Sequence, residues 1–224
     1  MSPGFHPPLE EYLEAIYGLS EEGVEVIQAR LVERLGFTPQ AVSEMVQRLI
    51  ADGYLDRAGR SVTLTATGTE QAVSIVRRHR LAECFLVDIL GLPWDKAHLE
   101  AGRWEHVISD DVEARFVALL GNPTTCPHGS LIPGSGGTLA GQIAIADVAP
   151  GTAVQLARVT ERIETDASSL AYCSEHGLTP GRKATVVAKS PDGTLTVSLD
   201  PLGGVAETLA LGLGMSRQIY VAVD

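Results

Sequence analysis

At 224 residues, 45% of them hydrophobic and 20% charged, the chain has material for two or three compact units with buried cores, which excludes a disordered polymer. It has no apolar run long enough to cross a bilayer, and its start, MSPGFHPPLEEYLEAIY, lacks the basic and then apolar regions of a signal peptide, so a cytoplasmic protein without membrane contact is expected. The 17 basic and 28 acidic residues give a net charge of −11, which argues against nucleic-acid binding driven by overall charge.

The distribution of charge qualifies that exclusion. Met1 to Glu25 holds acids and no Lys or Arg, whereas five arginines face four acids between Ile27 and Val62. Three widely spaced cysteines, Cys84, Cys126 and Cys173, exclude a disulfide framework and a paired zinc ribbon and are expected to be inert thiols, Cys84 in a core.

Pro7 and Pro8 suit a first turn, and Leu9, Leu13, Ile16, Tyr17 and Leu19 give the first helix, about 8 to 21, its apolar stripe. A second helix is expected from Ile27 to Leu35, stopped by Gly36. Thr38 and Pro39 are an N-cap and an N1 proline for a third, which turns Val42, Met45, Val46, Leu49 and Ile50 inward before Gly53. Two short helices joined by a Gly-containing turn make a helix-turn-helix. Tyr54 to Arg57 and Ser61 to Thr65 alternate like strands about an Ala58-Gly59 bend, forming a wing.

A long helical pattern then runs from Ala66 through Ile89 to a stop at Gly91-Leu92-Pro93. Helices at about Trp94 to Val107 and Ser109 to Leu120 follow, and this all-α middle part has the look of an oligomerisation unit. The Pro- and Gly-rich stretch from Asn122 to Gly141 is an extended connector. From Gln142 the signals are mostly β, notably Ala184 to Ala188 and Thr194 to Leu199 about Pro191-Asp192-Gly193, with one helix near Ser168 to His176, which fits a small β-barrel. The expected domains are 1–72, 73–140 and 141–224.

The chemistry-bearing residues lie in the middle part. His79 and Glu83 are four apart on one helix face, and His98, Glu105 and His106 share a face of the next helix, so two facing helices can offer five N/O ligands suited to divalent first-row metals. Glu11 and Glu14 share a face of the first helix. Spacing alone leaves solvated pairs open as an alternative. If the acidic first helix meets a metal held by the middle part, the cation also cancels charge that would repel DNA phosphates.

The order of parts, and the stretches EEYLEAIYGLSEEG, LVERLGFTPQAVSEMVQRLIADGYL, RRHRLAECFLVDILGLPWDKAH and EAGRWEHVISDDVEARFVALLGNPTTCPHG followed by IPG, resemble the DtxR/MntR-type metal-dependent transcriptional repressors from about Leu9 to Gly134. Beyond Gln142, IETD and LTPGRKATVV look like the SH3-like (FeoA-like) domain that ends many members. The resemblance implies a mainly α protein with a small β domain: a winged helix-turn-helix, a helical metal-binding dimerisation domain and an SH3-like β-barrel. It implies a cytoplasmic homodimer, one or two dimers per palindromic operator, repressing metal-homeostasis genes when loaded with Mn²⁺ or Fe²⁺.

The resemblance also implies two metal positions. The first takes His79, Glu83, His98 and Glu164, with the family's amide ligand falling at Ala167; the second takes Glu11, Glu105 and His106, with Glu14 matching a ligand of the manganese branch. Gly102 stands where relatives have a ligand side chain, leaving only its carbonyl, with close packing or room for a metal-bound water as reasons for a glycine there. Oxygen-rich ligands favour manganese over iron, and tighter-binding divalent metals should substitute in vitro. On the DNA side, Thr38, Ser43, Arg48 and Arg60 match phosphate-contacting positions, while Ala29, Gln40 and Glu44 match positions near base edges, with Pro39 opening the helix that carries them.

His6, His128 and His176 show no partner spacing and are expected to be structural or exposed. The rival functions are a winged-helix regulator gated by an organic ligand or partner protein, with a merely structural metal site, and a binuclear metal hydrolase; the latter leaves the winged helix unexplained. No enzyme is expected.

Overall fold

The computed structural model describes residues 8–201 and 206–223, so His6 and Pro7 lie outside the described residues. The N-terminal part forms as its capping signals dictate. Helices α1 (Pro8–Glu21), α2 (Gln28–Leu35) and α3 (Pro39–Ala51) precede an antiparallel hairpin, β1 (Leu55–Ala58) with β2 (Ser61–Leu64). Gly36 ends α2 in the left-handed conformation, and Thr38 Oγ1 accepts from the Ala41 N–H at 3.2 Å to open α3. Tyr12, Leu13, Ile16, Leu31, Val42, Val46 and Leu49 interlock as the core of this part. The wing's bend falls at Gly59-Arg60, one residue later than its sequence suggests.

Helix α4 (Ala66–Cys84) leaves this core at Ala72 and continues unbroken into the middle part, across the expected boundary at 72/73. Its expected extension to Ile89 is a π-helical turn, Phe85–Ile89, in which the Leu90 N–H reaches back five residues to the Phe85 carbonyl at 3.1 Å. Phe85 stacks on Phe116, with ring centroids 4.6 Å apart. Helices α5 (Trp94–Trp104) and α6 (Asp110–Leu119) complete the middle part. Because α5 ends at Trp104, Glu105 is its C-cap and His106 lies in the turn beyond it.

The remainder is β3 (Gln142–Ala144), β4 (Ala153–Val159), the single turn α7 (Glu161–Glu164), α8 (Ala167–Glu175), β5 (Lys183–Lys189), β6 (Leu195–Leu199), β7 (Glu207–Leu211), the short α9 (Leu213–Ser216) and β8 (Ile219–Val223). The six strands pair antiparallel in the order β3-β8-β4-β5-β6-β7. Register shifts at Leu156/Arg158 and Val186/Ala188 bend the sheet around its own core of Val154, Leu156, Val186, Leu195, Val197 and Val221.

Two features hold this β domain against the middle part. Trp94, at the start of α5, packs on the β core and donates its indole N–H to the Pro127 carbonyl at 2.9 Å. The connector presses on β4: the Val159 N–H donates to the His128 carbonyl at 3.0 Å, and a Cβ at Gly129 would lie 2.1 Å from the Ala157 carbonyl oxygen. Only glycine permits that approach, and its φ of +91° also favours glycine.

Candidate metal centre

The middle of α4 faces α5, and the ligand residues meet there. His79 is 6% exposed and Glu83 is fully buried, so their spacing of four is not that of a solvated pair. His79 Nε2 lies 3.1 Å from Glu83 Oε1 and 3.0 Å from His98 Nδ1. From the β domain, α7 brings Glu164, whose Oε2 is 3.3 Å from His98 Nδ1. Four residues expected in one place thus come from α4, α5 and α7. Ala167, at the start of α8, is exposed and adds no donor.

Two more residues that the sequence reading left outside the site lie beside them. His128 is buried, with Nδ1 3.2 Å from Glu83 Oε1 and 3.6 Å from Glu164 Oε2. Its Nε2 faces the Trp94 carbonyl at 3.2 Å. A carbonyl only accepts, so in the neutral ring Nε2 carries the proton and Nδ1 turns its lone pair toward the carboxylates, the orientation of a metal-ligating imidazole. Cys126, expected to be inert, is buried with its sulfur in a ligand-sized group with Glu83 and His128. The traceable signal was two donor residues two positions apart in Cys126-Pro127-His128-Gly129, inside a stretch that reads only as connector. Cys84 is buried in a core, as expected, and His176 pairs with Glu207 at 2.6 Å.

On the other side of His79 lies a second group. Its Nδ1 contacts Glu105 Oε2 and stands 3.6 Å from Glu14 Oε1, while His106 Nε2 is 3.1 Å from Glu105 Oε1. The first helix delivers Glu14 as expected, but Glu10, which sequence reasoning did not single out, contacts His106 Nδ1. Glu11 is half-buried and forms no ion pair with the group. A Cβ at Gly102 would meet only His79 Cε1, at 4.0 Å, so close packing does not require glycine there; the position opens toward the imidazole.

The electrostatics follow from burial and crowding. Burial opposes charge on His79, yet Glu83 and Glu105 hold its pKa well above the ordinary imidazole value. Burial likewise opposes charge on His98, but hydrogen bonds to Glu164 and Glu83 push it up to about 10. Against the cost of burial, His128 and His79 keep Glu83 well below the usual carboxylate range, and His128 lowers Glu164 from its ordinary value. Burial, and then the neighbouring charge of Glu105, pushes Glu14 well up.

These donors fit a divalent first-row cation. The first group gathers imidazoles, two carboxylates and a thiol, and it leaves the buried Glu83 Oε2 without a hydrogen-bond partner. The second is oxygen and imidazole only. His79 faces both, and a neutral imidazole has one lone pair, so it can ligate on one side only.

The residues matched to DNA lie on α2, on α3 and at the tip of the β1–β2 wing. Gln40, Glu44 and Arg48 follow one another at intervals of four along the exposed face of α3, with Gln40 donating to Glu44 Oε1 at 2.9 Å. Ala29, Thr38 and Pro39 are exposed and Ser43 is half-buried. Arg60, at the wing tip, pairs with Glu25 at 3.1 Å and is 77% exposed.

Comparison with known proteins agrees with this layout. Residues 5–61 match the iron dependent repressor N-terminal DNA binding domain, 65–134 the iron dependent repressor metal binding and dimerisation domain, and 143–223 the FeoA domain. The chain is 40% identical over 200 residues to the iron-dependent repressor IdeR of Mycobacterium tuberculosis, covering 84% of this chain and 86% of that one. It is 48% identical over 126 residues to the diphtheria toxin repressor of Corynebacterium diphtheriae, 56% of each chain. A manganese-dependent transcriptional repressor in complex with manganese superposes with a TM-score of 0.85 at 32% identity, over 96% of this chain and all of that one. With a winged reading head, buried imidazole and carboxylate clusters and a closing β domain in this order, the chain belongs to the iron- and manganese-dependent transcriptional repressor family.

Proposed function

We propose that this chain represses metal-homeostasis genes by binding a palindromic operator as a dimer when Mn²⁺ or Fe²⁺ is held at the two groups around His79. The observation that carries this is the convergence of His79, Glu83, His98 and Glu164 from three elements in two domains. A cation there supplies positive charge and fixed geometry.

The chain's residues do the remainder. His79, Glu83, His98 and Glu164, joined by His128 and the Cys126 sulfur, would hold the first ion and bind the β domain to α4 and α5. Glu14, Glu105 and His106, with Glu10 or Glu11 from the same helix, would hold the second and draw α1 to the middle part. Gly102 offers its carbonyl at most. The second group has only hard oxygen and imidazole donors, which favours Mn²⁺, although metals later in the affinity order bind such donors more tightly. Thr38, Ser43, Arg48 and Arg60 position the dimer on phosphates, while Ala29, Gln40 and Glu44 stand at base edges on the helix-turn-helix that Pro39 helps to open. An operator long enough for two dimers would carry both.

The test is a gel shift with the full chain on operator DNA selected in Mn²⁺, run in EDTA and then with Mn²⁺, Fe²⁺ or Zn²⁺ added back. EDTA should weaken binding and each metal restore it, with a coupling of about 1 to 3 kcal/mol. His79→Ala should remove the metal response while the protein stays folded by circular dichroism. Binding indifferent to EDTA, or an unchanged response in His79→Ala, would overturn the proposal.

A further inference from the structure

The single turn α7 carries two carboxylates with different partners. Glu164 faces His98 and His128 in the first metal group. Glu161, three residues earlier, reaches out of the β domain to α2, its Oε1 3.1 Å from Arg34 Nη1. Arg34 also holds Glu22 at 3.1 Å, and its side chain is only 9% exposed, so this is an enclosed contact. The neighbouring pair, Arg162 with Glu33 at 3.3 Å, is 63% and 66% exposed and adds little.

Gly18 makes room for this contact. It lies inside α1, where glycine is among the least favourable residues. A Cβ at that position would stand 2.3 Å from Glu161 Oε2 and 3.0 Å from its carboxyl carbon. The Glu161 carboxylate therefore lies where any other residue would place its side chain. Gly18 follows Glu14 by four and precedes Glu21 by three, so one face of α1 meets the second metal group, α7 and the buried Arg80 in turn.

We propose that Glu161, Arg34 and the notch at Gly18 form a latch that transmits ion binding at the first group to the helix-turn-helix. The inference rests on the metal-gated repressor function proposed above. Glu161 lines the same small cavity as Glu14, His79, His98 and Glu164, but its ion pair is with Arg34 rather than with an imidazole of the group, so its role is positional. In a single helical turn, fixing Glu164 on an ion fixes Glu161; Glu161 then holds Arg34 and with it α2, which packs on α3. Without the latch the first group could still fill, but its occupancy would no longer favour one placement of the reading head.

The test uses the full chain, Mn²⁺ as the probe and the selected operator duplex, comparing wild type with Glu161→Ala and Gly18→Ala. Both leave Arg34 in place, so a direct contact of that arginine with DNA does not confuse the result. Three quantities are measured: Mn²⁺ affinity without DNA, operator affinity in EDTA and operator affinity in saturating Mn²⁺. Both variants should bind the operator as wild type does in EDTA, while the enhancement by Mn²⁺ drops about fivefold or more and DNA tightens Mn²⁺ by correspondingly less. Gly18→Ala should do this without lowering Tm, because alanine favours the helix. A wild-type enhancement in both variants overturns the latch, as does an equal loss of affinity in EDTA and Mn²⁺, which marks a merely structural contact. A wild-type protein that ignores Mn²⁺ overturns the gating itself, and the latch with it.

Discussion

His98 shows what a single side chain contributes to control. Its pKa is pushed up to about 10 by hydrogen bonds to Glu164 and Glu83 that outweigh the cost of burying its charge. Because that value lies above the ordinary imidazole value near 6.5, the proton it keeps when folded stabilises the metal-free protein fully below about pH 6.5, and this contribution is lost as pH rises toward 10. An incoming cation must expel that proton. Apparent Mn²⁺ affinity should therefore increase from pH 6.5 to 8, with protons released on binding; calorimetry in buffers of different ionisation enthalpy checks both. Affinity independent of pH would mean that ion binding does not remove a proton from His98. His128 and Cys126 mark the limit of sequence reasoning at this scale. Periodicity along a helix brought out His79, Glu83 and His98, but a ligand candidate on a connector has no period, and it is tertiary contacts, Gly129 and the His128 carbonyl against β4, that turn it inward.

At the level of elements, the helices from α1 to α6, α8 and the β5–β6 hairpin were legible because capping residues, a 3.6-residue stripe and a Pro-Asp-Gly turn are local signals, whereas the single turns α7 and α9 are too short to carry a period. β4 and β8 pair although far apart in sequence, from Val154 with Val223 to Val159 with Ile219, and no local pattern announces such a pairing. The π-helical turn after Cys84 was hidden for a related reason, since its apolar residues continue the helical stripe. The exposed face of α3 allows a sharper prediction. Glu44 accepts from Gln40 and projects from the exposed recognition face, where a carboxylate accepts from a cytosine amino group but offers no donor to adenine. Glu44→Gln should shift operator preference at one base pair per half-site by about 1 to 3 kcal/mol, read by selection on a randomised duplex. An unchanged consensus would remove Glu44 from the base-reading set.

Across the whole molecule, acidity and DNA binding are reconciled by location: much of the buried acidic charge sits around His79, away from α3, in groups that a cation would neutralise. The middle part also leaves apolar surface uncovered. Leu99 and Val107 are 67% and 77% exposed, with Leu90 and Leu119 at 56% and 59%, more than isolated surface residues of one fold need. This belongs to the region matched as a dimerisation domain. Leu99→Asp with Val107→Asp should give monomers in sedimentation velocity and weaken operator binding while leaving Mn²⁺ stoichiometry per chain unchanged; a dimer retained in the double variant would place the interface elsewhere. Finally, α4 joins the core of the DNA-binding domain at Ala72 to the candidate ligands His79 and Glu83 as one uninterrupted rod of 19 residues, about 28 Å long. Such a rod has no joint along its length to absorb a disturbance, and a tilt of about 10° at one end carries the other through about 5 Å. In a symmetric pair the separation of the two heads would change by up to twice that, against the roughly 34 Å period of the double helix, so a small rearrangement around the imidazoles would be enough to put both heads out of phase with the grooves.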